Sequence, residues 1–133
     1  MKVTQISIYL GNKEGMLQKV SQLLGKSNIN IRAITIAESE GIGVLRIIVD
    51  KPNDAMKVLK TGGYIAQPRD VLAIEVDDRP GGLASILQTF AENKLNIEFM
   101  YGFIEKFCGK ALLAVSFDDI TRAESVLTNY TAD

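Results

Sequence analysis

Apolar residues open the chain in strict alternation. Ile6, Ile8 and Leu10 are separated by Ser7 and Tyr9, the period expected of a half-buried strand. The period then lengthens: Leu17, Val20 and Leu24 recur at three and four residues, which predicts an amphipathic helix stopped near Gly25 and Ser27-Asn28. Two β-rich runs follow, Asn30 to Ala37 and Val44 to Val49, around the turn Glu40-Gly41-Ile42-Gly43, and together they read as a hairpin. A second helix is expected over Asn53 to Lys60, stopped by Gly62-Gly63. A short run, Tyr64 to Gln67, closes the unit before Pro68.

The same order then returns. Laying Asn12-Lys13-Glu14-Gly15-Met16-Leu17 over Asp78-Arg79-Pro80-Gly81-Gly82-Leu83 also places Gln22 on Gln88 and Asn30-Ile31 on Asn96-Ile97. The apolar positions agree, with Ile6 on Leu72, Ile8 on Ile74, Leu10 on Val76, Val20 on Ile86 and Leu24 on Phe90. After a small insertion, Ala55-Met56-Lys57-Val58-Leu59 falls on Ala123-Glu124-Ser125-Val126-Leu127. The chain is therefore expected to hold two diverged copies of one unit, residues 1–67 and 68–133. The second copy repeats the elements as Val71 to Val76, Gly82 to Glu92, Asn96 to Ile104, Lys110 to Phe117 and Ile120 to Tyr130.

Each copy reads β-α-β-β-α-β, so the expected class is α+β: two tandem ferredoxin-like units, antiparallel sheets with the helices on one face. The second copy runs out after its last helix, with only Thr131-Ala132-Asp133 left for a fourth strand. An uncovered sheet edge is usually avoided. Either a strand is exchanged between the copies or a second chain pairs with the edge, and exchange within the chain, a homodimer, or both are expected. Alternation is also weak in the second hairpin, where Phe99, Tyr101 and Phe103 oppose Met100 and Ile104. The sheet face without helices should then be covered by another sheet or chain. The alternative is a broad core with poor alternation.

Composition narrows the chemistry. With 47% hydrophobic and 23% charged residues among 133, the chain can bury a core and reads as globular. Its 15 Lys plus Arg against 16 Asp plus Glu leave no basic cluster for nucleic acid or for an anionic membrane. No long apolar run and no signal-peptide pattern is present, so a cytoplasmic location is expected. Histidine is absent and Cys108 is the single cysteine, which excludes Ser-His-Asp triads, Cys-His dyads and the common zinc sites. No catalytic residue, metal or cofactor is assigned. Gly41-Ile42-Gly43 reads as turn chemistry, and Cys108 as an incidental thiol.

The first strand-to-helix turn of each copy is the chemically interesting place. Asp78 is expected to cap the second copy's helix two residues before Pro80, with Asn12 as its counterpart. Gly15, Gly81 and Gly82 leave backbone amides bare at the positive end of a helix, where a small carboxylate could sit. Cap plus glycine is equally how a helix simply starts. Asp118-Asp119 before Ile120, and Lys51-Pro52-Asn53-Asp54 in the first copy, read as further caps.

With these residues in view, the chain resembles the ACT domain, a small-molecule sensor of amino-acid metabolism. The likeness rests on the element order, on Asp78-Arg79-Pro80-Gly81-Gly82-Leu83 at the first turn, and on Asn96-Ile97 opening the next strand. The first copy keeps Asn12, Gly15, Leu17, Asn30 and Ile31 but has Glu14 in place of the proline. The resemblance implies binding of a free amino acid at an interface of paired ACT units, to regulate an enzyme or transcription factor. By the same likeness Asn12, Gly15, Met16, Asp78, Gly81 and Gly82 would contact the ligand backbone, with Asn30 and Asn96 as further polar contacts. Leu17 and Leu83 would pack under the loop.

The leading expectation is therefore a non-catalytic amino-acid sensor, a homodimer, reporting to a metabolic enzyme or regulator. The alternative is an interaction subunit that holds such an enzyme and binds no metabolite. An acyl-phosphate hydrolase would rest on Arg79 alone, and RNA recognition would require aromatics within a basic surface, which Phe99, Tyr101 and Phe103 lack.

Overall fold

A computed structural model of the chain describes residues 1–11, 13–104 and 109–130. Its elements run β1 (Lys2–Gly11), α1 (Met16–Lys26), β2 (Ile31–Ser39), β3 (Ile42–Val49), α2 (Pro52–Thr61), β4 (Ile65–Asp77), α3 (Gly82–Glu92), β5 (Ile97–Gly102), β6 (Lys110–Phe117) and α4 (Ile120–Thr128). The class is α+β, a pair of ferredoxin-like units. The chain divides into two compact units, Thr4–Arg69 and Met1–Val3 with Asp70–Asp133.

In the unit Thr4–Arg69 the strand order is β2-β3-β1-β4. β1 pairs antiparallel with β3 from Ile6 opposite Ile47 to Gly11 opposite Ile42, and β3 pairs antiparallel with β2. Ile6, Ile8 and Leu10 of β1 and Leu45, Ile47 and Val49 of β3 point one way, onto Val20 and Leu24 of α1 and Ala55 and Leu59 of α2. Each large aliphatic side chain buried there contributes about 1.5–3 kcal/mol. The other unit repeats the scheme, with Leu72, Ile74, Val76, Val115 and Phe117 packed on Ile86, Phe90 and Ala123. The ring of Phe90 meets that of Phe117 edge-on at 5.0 Å.

Two helix ends fall where the sequence placed them, and one strand boundary differs. α1 ends at Lys26, within the expected stop from Gly25 to Asn28; the chain turns at Asn28, in the left-handed region at φ 60°, and Ile29 N–H closes back on the Leu24 carbonyl at 3.0 Å. Lys94 at φ 56° and Leu95 N–H onto Phe90 O at 2.9 Å do the same after α3. Pro68 does not end a strand, because β4 continues through it for 13 residues. Gln67, Pro68, Arg69 and Asp70 are all exposed, and an exposed strand position tolerates a residue without an N–H.

β4 therefore serves the first unit as Ile65–Arg69 and the second as Asp70–Asp77, and β1 is divided in the opposite order. In the unit Met1–Val3 with Asp70–Asp133, Met1 and Ala73 exchange hydrogen bonds in both directions, at 2.8 and 3.2 Å. Lys2 lies 3.7 Å from Glu124 in the same unit. The strand order there is β1-β4-β6-β5, so the N-terminal residues occupy the place for which the second copy has no strand of its own. In the first unit the Tyr9 hydroxyl donates to Gln67 Oε1 at 3.4 Å.

The strand sides that carry no helix are buried in part. Gln5, Ala33 and Ile48 in one unit and Val71, Ala114 and Ser116 in the other are buried. A bulge between Ile97 and Phe99 sets Phe99 and Tyr101 opposite Ser116 and Ala114, their rings stacked at 6.3 Å, while Met100 shares the side of Val115.

Candidate functional site

Neither first turn is capped by a side chain. The N-cap residues are Gly15 and Gly81, at φ 80° and 84°, and the helices begin at Met16 and Gly82. Asp78, expected as the cap, lies upstream in the turn, where its N–H donates to Gly109 O at 3.1 Å. Backbone groups make both turns alike: Lys13 N–H onto Gly11 O and Met16 N–H onto Lys13 O in one, Arg79 N–H onto Asp77 O and Gly82 N–H onto Arg79 O in the other. A glycine in the left-handed region reverses the chain at little steric cost, which leaves a side-chain cap unnecessary. Asn12 lies outside the described residues, as does Cys108.

In the unit Thr4–Arg69 the turn opens into a cleft of about 550 Å³, within the range of small-molecule sites. Leu10, Met16, Leu17 and Ile36 form its apolar wall; Lys13, Gln18, Ser21 and Glu38 supply polar groups; Gly11, Gly15 and Gly43 leave its floor bare. β1 delivers Leu10 and Gly11, the first turns of α1 deliver Met16 to Ser21, and β2 brings Ile36 and Glu38. Lys13 forms no ion pair among the described residues. Glu38 accepts the Gly41 N–H at 3.2 Å, which fixes its carboxylate at the hairpin, and Ser21 Oγ donates to Gln18 O at 2.9 Å. The leading amides of α1 also face this end of the helix, where intrahelical acceptors run out.

Leu17 and Leu83 do not pack under their loops: they are 38% and 39% exposed. α1 turns Met16, Val20 and Leu24 inward at a spacing of four, so Leu17 falls on the flank and becomes cleft wall.

The turn of the other unit is filled by charge. Asp77 pairs with Lys110, directly opposite on β6, and lies 3.4 Å from Arg79 Nε. The Lys110 ammonium beside it, and Arg79 more weakly, hold the Asp77 carboxyl below the usual carboxylate range, and Asp77 holds Lys110 above the usual lysine value. Lys110 is exposed and Asp77 half-buried. Ser85 and Tyr130 hydroxyls meet at 3.0 Å beside them, leaving a recess of about 20 Å³.

Of the sequence candidates, Gly15 and Met16 line the cleft, and Asp78, Gly81 and Gly82 form the other unit's turn. Asn30 and Asn96 are with neither. Each follows the C-terminal end of its helix, about 16 Å along α1 from Gly15. There Asn30 N–H donates to Asp50 Oδ1 at 2.9 Å and Asp50 N–H to Asn30 O at 3.1 Å. Asn96 and Asp118 repeat this at 3.3 and 3.2 Å. Lys13, Gln18, Ser21, Ile36 and Glu38 were not legible as site residues. Lys13 was marked only by falling on Arg79, and Ile36 and Glu38 reach the turn through strand register alone. Among the described residues no group of three His, Cys, Asp or Glu could hold a metal, and no helix is long and apolar enough to cross a membrane.

Comparison with known proteins places this geometry. The fold is shared with a crystal structure of the protein BT0572 from Bacteroides thetaiotaomicron, at TM-score 0.89 and 35% identity over 96% of this chain and 88% of that one. It is also shared with the ligand-free regulatory subunit of aspartate kinase from Thermus thermophilus, at TM-score 0.71 and 19% identity over 94% and 87%. The acetolactate synthase small subunit of Buchnera aphidicola subsp. Baizongia pistaciae is 30% identical over 79 residues, 59% of this chain. The chain spans about half the length of that curated relative. The family model of the ACT domain pair matches residues 1–132, and with two ferredoxin-like units built around glycine first turns, the chain belongs to the ACT domain family as such a pair.

Proposed function

We propose that this protein is a non-catalytic sensor in the cytoplasm that binds a free amino acid where ACT units pair and passes the binding state to a partner, a metabolic enzyme or a regulator. The cleft of about 550 Å³ at the first turn of α1 carries the reading, because it joins an apolar wall to a cation, a carboxylate and bare backbone. Relatives named as a regulatory subunit and a small subunit support the regulatory role. The paired unit is supplied by a second copy of the chain. Leu17 and Ile36, 38% and 49% exposed, line the cleft beside β2, the outermost strand of its unit, and a dimer would cover them.

Thermal melts with each standard amino acid test the sensor. A ligand at a hundred times its dissociation constant adds about 2.7 kcal/mol to stability, so one or a few amino acids should raise Tm and the rest should not. No shift with any of them would favour the subunit that holds an enzyme and binds no metabolite. Light scattering should give twice the 14.6 kDa chain mass; a monomer at micromolar concentration would refute the dimer.

A further inference from the structure

We infer that the two first turns are inequivalent: the cleft of the unit Thr4–Arg69 takes the zwitterion of an amino acid with an uncharged aliphatic side chain, one per chain, and the turn at Asp77 takes none. The inference rests on the sensor reading and adds which turn is used and by what class of ligand.

The chemistry of the cleft is that of a zwitterion. Lys13 offers a cation without an ion-pair partner among the described residues, and Glu38 offers a carboxylate anchored by Gly41 N–H. A ligand carrying one carboxylate and one ammonium satisfies both and leaves no net charge behind. Its remaining part meets Leu10, Met16, Leu17 and Ile36. A charged ligand side chain pressed on that wall would lose its hydration without gaining a counter-ion, a loss an aliphatic side chain does not suffer.

The register shows why the other turn differs. Gly11 stands opposite Ile42, whereas at the same ladder position of the other unit Asp77 stands opposite Lys110. Arg79, at the place of Lys13, is held by Asp77, so a ligand carboxylate would have to displace an internal one. The shift that lays Asn12 on Asp78 puts Gly102 where Ile36 forms the wall and Ile104 where Glu38 offers its carboxylate. It also puts Leu87 at the place of Ser21. At these positions copy two carries no carboxylate in place of Glu38, and Asp77 holds ion pairs of its own.

Titration calorimetry with L-leucine, L-aspartate, L-lysine, 4-methylpentanoate and leucinamide tests this. L-leucine should bind at one per chain and at least about tenfold more tightly than the other four, because each of those lacks one charge or adds one. Gly11→Asp with Ile42→Lys copies the ion pair of the other unit next to Lys13, so that an internal carboxylate meets that cation as Asp77 meets Arg79. Both positions are exposed, and a Cβ on Gly11 meets nothing within 4 Å. That variant should keep its circular dichroism and lose L-leucine binding. Glu38→Gln, which keeps an acceptor for Gly41, should bring L-leucine down to the affinity of 4-methylpentanoate. Two leucines per chain, preference for L-aspartate or L-lysine, or unchanged binding in either variant would overturn the inference while leaving the sensor standing. Failure of every standard amino acid to bind would overturn both.

Discussion

Gly82 lies so close to Asp77 that a Cβ placed on it would sit 2.0 Å from the Asp77 carbonyl oxygen. The glycine before it is required for a different reason. Gly81 has open space around it but holds φ 84°, as Gly15 holds 80° in the first unit. The first unit has Met16 at the position of Gly82, so only the left-handed glycine is common to both turns. The bareness at Gly82 lets strand and helix backbones approach.

Gly82→Ala should therefore cost about 3 kcal/mol, because a strand backbone has to move to admit one methyl group. Gly81→Ala should cost about 1–2 kcal/mol, the strain of a left-handed alanine. Urea unfolding of both variants checks the ranking, and equal stability of Gly82→Ala and the parent would contradict it.

The Asp77 ion pairs set a pH dependence with a definite sign. A carboxyl whose folded pKa lies below its unfolded value stabilises the fold above the unfolded value, about 3.9, and that stabilisation is lost as pH falls through the folded one. The raised Lys110 works the other way, its contribution persisting below about 10.4 and disappearing as pH rises through its folded value. Asp77→Asn should melt slightly below the parent at pH 7. The gap should close toward pH 2 and shrink in 1 M salt, since exposed pairs are small and screened. A gap that widens in acid would reverse the assignment.

Phe90 is 2% exposed and packed edge-on against Phe117. Truncating it to alanine should cost about 3–5 kcal/mol in urea or thermal unfolding. Ile36→Ala, at a site 49% exposed in the single chain, should cost less than Phe90→Ala by the same measurement. A reversed order would mean that the apolar wall of the cleft, and not the sheet–helix interior, carries stability.

Asp119 caps α4 by accepting the Arg122 N–H at 3.1 Å. Asp119→Ala should cost about 1 kcal/mol. Asp118, whose carboxylate holds Asn96 N–H, should report instead as faster amide exchange at Asn96 when replaced by alanine.

Much of this architecture was legible in the sequence because it follows from local periods. Alternation at Ile6, Ile8 and Leu10 and the helical spacing of Val20 and Leu24 fix which side chains face inward, and their repetition at Leu72 to Val76 and at Ile86 and Phe90 makes the duplication visible. Asp119 was readable as a cap because capping is decided within one helical turn. What failed were inferences from residue type where backbone conformation decides. Asp78 is no cap because Gly81 starts the helix, and Pro68 breaks nothing because its strand is exposed there.

The cleft belongs to the tertiary structure alone. Ile36 and Glu38 reach the turn of α1 only because β2 pairs with β3 and β3 with β1, and no local pattern records which strands become neighbours. The contrast between Gly11 opposite Ile42 and Asp77 opposite Lys110 is likewise present in the letters, but only register turns it into an open mouth in one unit and an ion pair in the other. Asn30 and Asn96 show the converse. Their recurrence marked them in the sequence, yet chain direction carries them to the far end of the helix, where their backbones strap one strand to the end of the next.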